Sequence, residues 1–474
     1  IKYNLSSSIY LMLTESLNKK LCLTIILIGF FYSLINSVLD TLKNDKFFID
    51  YEGVEKHKII KSDLEHFWSH ADLFKKDVED GKKFLESGGP LERNYLYPKL
   101  IAFYFISIGD EIRDSDQKFK LKNFKFGIPI IQSLIFYICL FFFFKKIYKK
   151  FDSFVVLVII SFLSIEPSLL QFHSSYWSES LYLSMLLIFF IFFLDLPKKK
   201  YKFFLFGIFL GLMFMQRNVS LLLFMPISLY LIIIFKFKAF KPIILLLSGY
   251  IIVLGFVGYN NYKKSEIFHF IPDTQRDAHW NYVSHILNSK KLNISIGESE
   301  KNKHDEMNKW IVDNNIKLNT RKGIRELGMY KQSYFIESLK GNLFNYFKYH
   351  IWKSCQFLIL DYTWVKKHYN LDKSIPKYWQ QSSFKAGLTY KIIYSFFIYA
   401  LCLYGFFQMF FLRDFDRKIG FFIILMFLYF VGILGWTGIS RYSTTILIFF
   451  SIFFGYGVKG LINKTRYMIY GFKN

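Results

Sequence analysis

Hydrophobic residues are concentrated in ten long blocks along this chain. Most of the blocks approach the roughly 20 residues that an α-helix needs to cross a bilayer. Their approximate bounds are 21–38, 126–144, 154–171, 179–195, 202–216, 219–235, 242–259, 391–412, 419–436 and 443–462. The pattern predicts an all-α polytopic membrane protein with about ten transmembrane helices.

Two long polar segments interrupt the series. The first long segment covers residues 40–125 and the second long segment covers residues 260–390. They follow the first and the seventh block, so both emerge on the same face of the membrane. The predicted divisions are the N-terminus with the first span (1–39), the first long segment (40–125), spans two to seven (126–259), the second long segment (260–390), and the last three spans with the tail (391–474).

The charge of the short connections indicates which face this is. On the side opposite the long segments the short connections are rich in basic residues. The short connections on the same side as the long segments contain only two basic residues, Arg217 and Arg441. The basic residues are Lys145, Lys146, Lys149, Lys150, Lys198, Lys199, Lys200, Lys202, Lys236, Lys238, Lys241, Arg413, Arg417 and Lys418. By the positive-inside rule the basic connections and both termini are cytoplasmic, and the long segments are extracytoplasmic. We expect an integral protein of a bacterial inner (plasma) membrane, with its active site facing the periplasm or exterior.

Composition agrees with a membrane protein, since 53% of the 474 residues are hydrophobic. The net charge of +25 could suggest a nucleic-acid partner. Many of the lysines, however, flank apolar blocks, where each contributes about 1 kcal/mol of attraction to anionic lipid. Membrane lipids are therefore the expected partner, and nucleic acid is not. The cysteines, Cys22, Cys139, Cys355 and Cys402, form no evident disulfide or metal framework.

An acidic helix is predicted in the first long segment. Ser62 and Glu65 form a capping box ahead of it. The apolar positions that follow at helical spacing are Leu64, Phe67, Trp68, Ala71, Phe74, Val78 and Leu85. Asp72 and Asp77 fall on opposite shoulders of this stripe, where a carboxylate can face a cleft, while Asp80 points away and is expected to be solvated.

This helix is expected to end at Gly88, Gly89 and Pro90. Residues 94–109 then form an apolar return along the membrane interface, where Tyr95 and Tyr97 suit the aromatic belt. Near the end of the second long segment, apolar residues recur at steps of three and four, which predicts one interfacial amphipathic helix. These residues are Ile336, Leu339, Leu343, Phe347 and Ile351.

Three charged residues stand at the same membrane boundary as the long segments: Glu179, Arg217 and Arg441. A charge drawn toward the bilayer centre costs roughly 2.5 to 3.5 kcal/mol, so partners are expected. Each residue alone could simply end a helix among the headgroups. Together, one carboxylate and two guanidinium groups could meet a substrate that carries a phosphate. We include Tyr442, next to Arg441, in this substrate-binding set.

Histidines give weaker signals. His173 could join the substrate site, although a lone interfacial histidine is more commonly a structural hydrogen-bonding residue. The spacing of His269, Asp273, Asp277 and His279 would suit a divalent cation on a helix, but Pro272 interrupts such a helix. No metal ligand is therefore assigned, and a divalent cation is the one cofactor that the sequence leaves open.

Five pieces of the chain together resemble the GT-C superfamily of integral-membrane glycosyltransferases, which includes protein O-mannosyltransferases and the lipid A aminoarabinose transferase. The pieces are ADLFKKDVEDGKKFLESGG (71–89), NYLYPKLIA (94–102), YWSESLYL (176–183), FGIFLGLMFMQRNVSLLLFMP (206–226) and SRYSTTILIFF (440–450). The family often has a Tyr and Ala shortly after its Asp, and then a Tyr-Pro-Pro return. Here the Tyr and Ala are missing and YPK replaces the second Pro, so the catalytic residue stays open between Asp72 and Asp77.

The resemblance implies transfer of a sugar from a polyprenyl-phosphate donor to an extracytoplasmic acceptor, which could be a lipid, a glycan or a protein. An Asp, with Asp72 the first choice, would be the general base, and Arg217 and Arg441 would hold the phosphate. Glu179 would orient an arginine or bind sugar hydroxyls.

Three other classes compete with this interpretation. A polysaccharide polymerase or ligase would concentrate its arginines in one large loop. A lipid or solute transporter would place ionisable residues near the membrane midplane and break its spans in two related halves. A purely structural membrane protein is the third alternative.

Overall fold

The computed structural model describes residues 15–37, 70–81, 96–112, 121–173, 178–194, 201–265, 268–270, 278–318, 320–360, 377–411, 414–437 and 439–470. Within these ranges the chain is helical and contains no β-strand. The first ten helices are α1 (Glu15–Ser37), α2 (70–79), α3 (Leu96–Ile108), α4 (Leu121–Ile147), α5 (Ser153–Ile165), α6 (Pro167–His173), α7 (Glu179–Leu194), α8 (Tyr201–Gln216), α9 (Phe224–Phe235) and α10 (Phe240–Ser265). The others are α11 (His285–Leu292), α12 (Ile296–Asp313), α13 (Arg321–Leu339), α14 (Leu343–Phe357), α15 (Lys377–Phe410), α16 (Asp414–Leu434) and α17 (Thr444–Tyr470).

Several of these helices are long and apolar enough to cross a membrane. By length and composition there are 6 such helical stretches among the described residues, or up to 7 if α5 and α6, bent by 49° at Glu166, form one span. One of the 6, Asn218–Lys263, contains α9 and all but the last two residues of α10. The apolar helices α3, α7 and α8 are shorter. These features define a polytopic helical membrane protein.

Glycines set the closest helix contacts. A Cβ on Gly207 of α8 would collide with the carbonyl oxygen of Leu246 on α10. In the same way, a Cβ on Gly405 of α15 would collide with the carbonyl oxygen of Phe453 on α17. Small residues let helix backbones approach this closely, which is how helices gain packing energy inside a membrane.

Two polar contacts join the helix ends that adjoin the basic connections. The Tyr148 hydroxyl, just after α4, donates to the carbonyl oxygen of Glu15 at 2.7 Å. Lys459 of α17 lies 3.1 Å from Asp152, the residue that caps the N-terminus of α5. We call this end of the bundle, which holds Lys145 and Lys149, the lysine end.

The described helices of the first long segment, α2 and α3, pack together and against the bundle. Ala71 and Phe74 of α2 are buried with Tyr97, Ile101 and Phe105 of α3 in one apolar cluster. The predicted stripe of α2 is therefore confirmed at the described positions, and Asp80 is exposed as expected.

Two expectations for the first long segment are wrong. The described helix ends at 79, with Gly81 at a positive φ of 80°, rather than continuing to Gly88. Glycine adopts this left-handed conformation without steric cost, and it ends the helix early. Tyr97 is fully buried against α2 instead of lying in an aromatic belt. Tyr95, the capping box Ser62/Glu65 and Gly88 to Pro90 lie outside the described residues.

The amphipathic helix predicted in the second long segment is two helices. Gly341, at a φ of 76°, separates α13 from α14, so Ile336 and Leu343 lie on different helices. On α14 the apolar residues Leu343, Phe347 and Ile351 are 68%, 61% and 51% exposed. An apolar face this open suits contact with lipid.

Candidate functional site

The central feature of the candidate site is an ion pair between two helix ends. Arg217 Nη1 lies 2.8 Å from Glu179 Oε1. Glu179 is the first residue of α7, where the helix dipole favours an acidic group. Arg217 follows α8 in an extended conformation, before the short 3-10 turn Asn218–Ser220. Both residues are buried, at 2% and 9% exposure, and each charge offsets part of the cost of burying the other.

Hydrogen bonds hold the two backbones that carry this pair. The side-chain amide of Gln216 donates to the carbonyl oxygen of Ser178 at 3.0 Å. The hydroxyls of Tyr182 and Ser220 are 2.8 Å apart. Tyr429 of α16 adds a hydrogen bond from its hydroxyl to the carbonyl oxygen of Val219. The end of α8 is therefore fixed to the beginning of α7 and to α16.

Aromatic rings surround the Arg217 guanidinium. Its central carbon lies 4.9 Å from the ring centroid of Tyr442 and 5.8 Å from that of Tyr182. Tyr442 belongs to the 3-10 turn Ser440–Ser443, just before α17. The structure thus brings Glu179, Arg217 and Tyr442 together from distant parts of the chain. The side chain of Arg441, in the same turn, lies outside what the structure describes.

This arrangement suits the recognition of an oxyanion. An arginine side chain has five N–H donors in a planar fork, and Glu179 holds the guanidinium from one side. Contact with aromatic faces fixes its plane further. A phosphate that approached the remaining N–H groups would find them already oriented and largely shielded from water, where charge-assisted hydrogen bonds are strongest.

The two candidate aspartates lie on α2 in different surroundings. Asp72 is 5% exposed, and its Oδ2 lies 3.2 Å from Nζ of Lys76, one turn later. Asp77 is half-buried. Neither position excludes a catalytic role, so both remain candidates. The i, i+4 spacing of Asp72 and Lys76 could have predicted this pair.

A second ion-pair group fixes α2 near the end of α3. Lys75 Nζ lies 2.5 Å from Glu79 Oε1 and 3.0 Å from Glu111 Oε1. Burial lowers the pKa of Lys75, but its hydrogen bonds to Glu79 and Glu111 outweigh this effect and raise the pKa above its ordinary value. Lys75 therefore stays charged at neutral pH and joins the helix to the residues that follow α3.

Packing contacts place α2 and the ion pair at the same end of the bundle. Leu181, two residues after Glu179, packs against the apolar cluster of α2 and α3. Leu96, the first residue of α3, packs against a small apolar cluster that contains Met215, two residues before Arg217. The second long segment also reaches this end, because His350 of α14 lies 3.1 Å from the carbonyl oxygen of Val431, near the end of α16. We call this the segment end of the bundle.

His173 lies inside the helical bundle. It is fully buried, its Nδ1 lies 2.7 Å from the hydroxyl of Ser180, and its ring centroid is 4.0 Å from that of Phe136. These contacts fit the structural interpretation better than direct substrate binding, although Ser180 is the neighbour of Glu179.

The residues considered for a divalent cation are only partly described. His269 and His279 are within the described ranges, and Asp273 and Asp277 are not. The His279 ring centroid is 4.7 Å from that of Phe335, and burial lowers its pKa to about 4, with a contribution from His350. No group of three potential His, Cys, Asp or Glu ligands occurs in the part of the chain that the structure describes.

Sequence reasoning missed a buried acid within a predicted span. Glu166, at the bend between α5 and α6, is 3% exposed. Its Oε1 accepts a hydrogen bond from the backbone N–H of Ser168 at 3.2 Å, and its Oε2 accepts one from the hydroxyl of Tyr394. The signal was available, because Glu-Pro inside an apolar block marks both an ionisable residue in the membrane and a helix break.

Comparison with known proteins finds no family model, no curated protein and no solved structure that matches the chain.

Proposed function

We propose that this protein is a membrane glycosyltransferase that moves a sugar from a polyprenyl-phosphate donor to an extracytoplasmic acceptor. The observation that carries the proposal is the ion pair of Glu179 and Arg217 beside Tyr442, at the end of the bundle against which the acidic helix α2 packs. The resemblance to the GT-C superfamily adds support from the residues 71–89, 176–183, 206–226 and 440–450.

The proposed chemistry follows from the charges. The acceptor hydroxyl attacks the anomeric carbon, the bond from that carbon to the donor phosphate oxygen breaks, and the hydroxyl proton passes to the carboxylate of Asp72 or Asp77. The leaving polyprenyl phosphate gains negative charge, which Arg217 and Arg441 stabilise. Glu179 orients Arg217. A donor with a long lipid tail requires such a site at the membrane boundary.

We further propose that all ten apolar blocks cross the membrane. The helices α7 and α8 contain 16 residues each, so each is about 24 Å long, and protein packing around them would let them span the core. Lys236, at a positive φ of 50°, separates α9 from α10, which would allow the chain to reverse there. Ten crossings with the lysine end in the cytoplasm would place both long segments outside.

A transporter is the one rival that a specific observation favours. Glu166 lies at a broken span with Tyr394 and Ser168 as hydrogen-bonding partners, and transporters place ion sites at such breaks. If this is the function, Glu166→Gln will abolish uptake or export of a solute and Arg217→Met will not.

The experiment that tests the proposal uses a strain lacking the gene, in which the chain or a variant is restored and the cell-envelope glycans are analysed by mass spectrometry. We expect the deletion to remove a sugar from one envelope component, and Arg217→Met to fail to restore it. Arg417→Met, an exposed arginine on α16, is the matched control and should restore it fully. Unchanged glycans after deletion would refute the proposal.

Purified protein gives a second test. In lipid nanodiscs with an extract of acceptor membranes, a panel of polyprenyl-phosphate sugars should yield free polyprenyl phosphate with at least one donor. In protein that thermal unfolding shows to be folded at the assay temperature, Arg217→Met should reduce that release by more than a hundredfold, since removing one preorganised transition-state donor costs about 2.7 to 4 kcal/mol.

A further inference from the structure

A buried basic cluster lies in the second long segment, around Trp280. This tryptophan is 2% exposed. Lys303 of α12 is 1% exposed, and its Nζ lies 4.1 Å from the Trp280 ring centroid and donates to the Trp280 carbonyl oxygen at 3.2 Å. Lys331 of α13 places its Nζ 4.9 Å from the same ring centroid. Two ammonium groups therefore share one indole.

Lys303 is buried without a carboxylate in contact. Among the described residues, no Asp or Glu oxygen lies within 4.0 Å of its Nζ. Burial lowers its pKa, Glu300 on the same helix opposes this, and Lys331 lowers it further. A buried charge is costly unless it is paired, and the carbonyl oxygen and ring of Trp280 offset that cost only in part.

Three further polar atoms near the cluster lack a hydrogen-bond partner among the described residues. Trp280 Nε1, His285 Nδ1 and Ser299 Oγ are buried and make no hydrogen bond within the described part of the chain. Ser299 is four residues before Lys303 on α12, so the two side chains share one face of that helix. Burial lowers the pKa of His285, and the charge of Lys303 lowers it further, so the two groups lie within electrostatic range.

A neutral Lys303 would remove the cost of the buried charge and still leave these polar atoms unpaired. One acceptor with several lone pairs would satisfy the ammonium group, the indole N–H and the hydroxyl together. We propose that the cluster around Trp280 binds a small oxyanion, such as a phosphate or carboxylate group. Lys331, which is half-buried, and His304, which is exposed, form the rim through which the anion enters.

This site is independent of the proposed transferase reaction, because none of its residues belongs to the site of Glu179 and Arg217. Loss of glycosyl transfer would not remove it. The two sites can be told apart by mutation. Phosphate bound at Arg217 would be lost in Arg217→Met and kept in Lys303→Met, whereas phosphate bound at Trp280 would show the reverse.

Isothermal titration of inorganic phosphate into the full-length protein in detergent, at constant ionic strength, tests the proposal. The parent protein, which keeps the Glu179–Arg217 pair intact, is compared with Lys303→Met. We expect saturable binding that Lys303→Met weakens at least tenfold. Lys309→Met, an exposed lysine on the same helix, is the control and should bind normally. If Lys303→Met does not fold, Lys331→Met carries the test and should weaken binding severalfold.

Two further arms identify the source of the anion. Titration with acetate tests a free carboxylate, and nanodiscs with or without phosphatidylglycerol test a lipid headgroup, which would compete with added phosphate. Absence of saturable binding of phosphate and acetate in every arm would overturn the proposal. So would equal affinity in Lys303→Met and its parent.

Discussion

Arg217 and Glu179 form a buried ion pair, with Nη1 and Oε1 2.8 Å apart, although they belong to different helices. The pair joins the beginning of α7 to the residue that follows α8, at the segment end of the bundle. Both side chains are nearly inaccessible to water, so the mutual attraction of the two charges is weakly screened. The same contact therefore serves two purposes, since it holds the helix ends together and it orients the guanidinium group for an anion.

Removing one member of this pair should destabilise the protein strongly. We expect Arg217→Met and Glu179→Gln each to reduce the free energy of unfolding by about 3 to 5 kcal/mol, because each removes one partner of a buried ion pair. The double variant should lose less than the sum of the two. Thermal unfolding in detergent measures this, with Arg417→Met as the control, and additive losses would contradict a direct pair.

The general base is predicted to be on α2. Asp72→Asn should abolish glycosyl transfer while membrane insertion and thermal stability stay close to those of the parent. Asp80→Asn, on the exposed side of the same helix, should keep full activity. If Asp72→Asn is active and Asp77→Asn is not, the base is Asp77; activity in both variants would remove the carboxylate mechanism.

The periodicity of the sequence predicted most of the helical architecture. Within the described residues each apolar block lies mainly on helices, and the stripe through Ala71, Phe74 and Val78 faces the apolar cluster shared with α3, as its spacing predicts. A long run of hydrophobic residues indicates burial or lipid contact by itself, so the positions of such helices can be predicted from neighbouring residues in the sequence. The number of crossings is harder to predict, because 16-residue helices such as α7 and α8 fall below the usual span length.

The candidate site was predicted only as a set of residue types. The sequence groups Glu179, Arg217 and Arg441 because all three lie at the same predicted depth in the membrane. Depth alone does not say which of these side chains are in contact. The contact of Arg217 with Tyr182, by contrast, depends on how α7 and α8 pack, and no local pattern encodes that. The cluster around Trp280 was missed for the same reason, since Lys303 and Trp280 meet only through the packing of α12.

Close helix packing at glycine should be sensitive to any side chain. Gly207→Val should lower thermal stability markedly, by about 1 to 3 kcal/mol or more, because its side chain would meet the backbone of α10 at Leu246. Gly432→Val on α16, where a Cβ meets nothing within 4 Å, is the matched control. Equal melting temperatures for the two variants would show that α8 and α10 are not packed as described.

The second long segment should lose stability in acid because of His279. Burial lowers the pKa of His279 to about 4 in the folded protein, whereas an unfolded histidine titrates near its ordinary value of 6.5. The unfolded state therefore binds the proton first, and stability falls as the pH drops from 6.5 to 4, by about 3 kcal/mol in total.

His279→Phe should remove this part of the acid sensitivity while keeping the ring contact with Phe335. Urea unfolding of the two proteins between pH 7 and pH 4 measures the difference. The same acid-induced loss in both would show that His279 is not the group responsible.

The central claim is that α2, the second long segment and the segment end lie on the same side of the membrane. The most direct test is to determine from which side three exposed positions can be labelled. In a Cys355→Ser background, whose remaining three cysteines are buried, D80C, K309C and K149C are treated in intact cells with a membrane-impermeant maleimide. We predict that D80C and K309C react from outside and that K149C, at the lysine end, reacts only after permeabilisation. Reaction of D80C and K309C from opposite sides of the membrane would contradict the account.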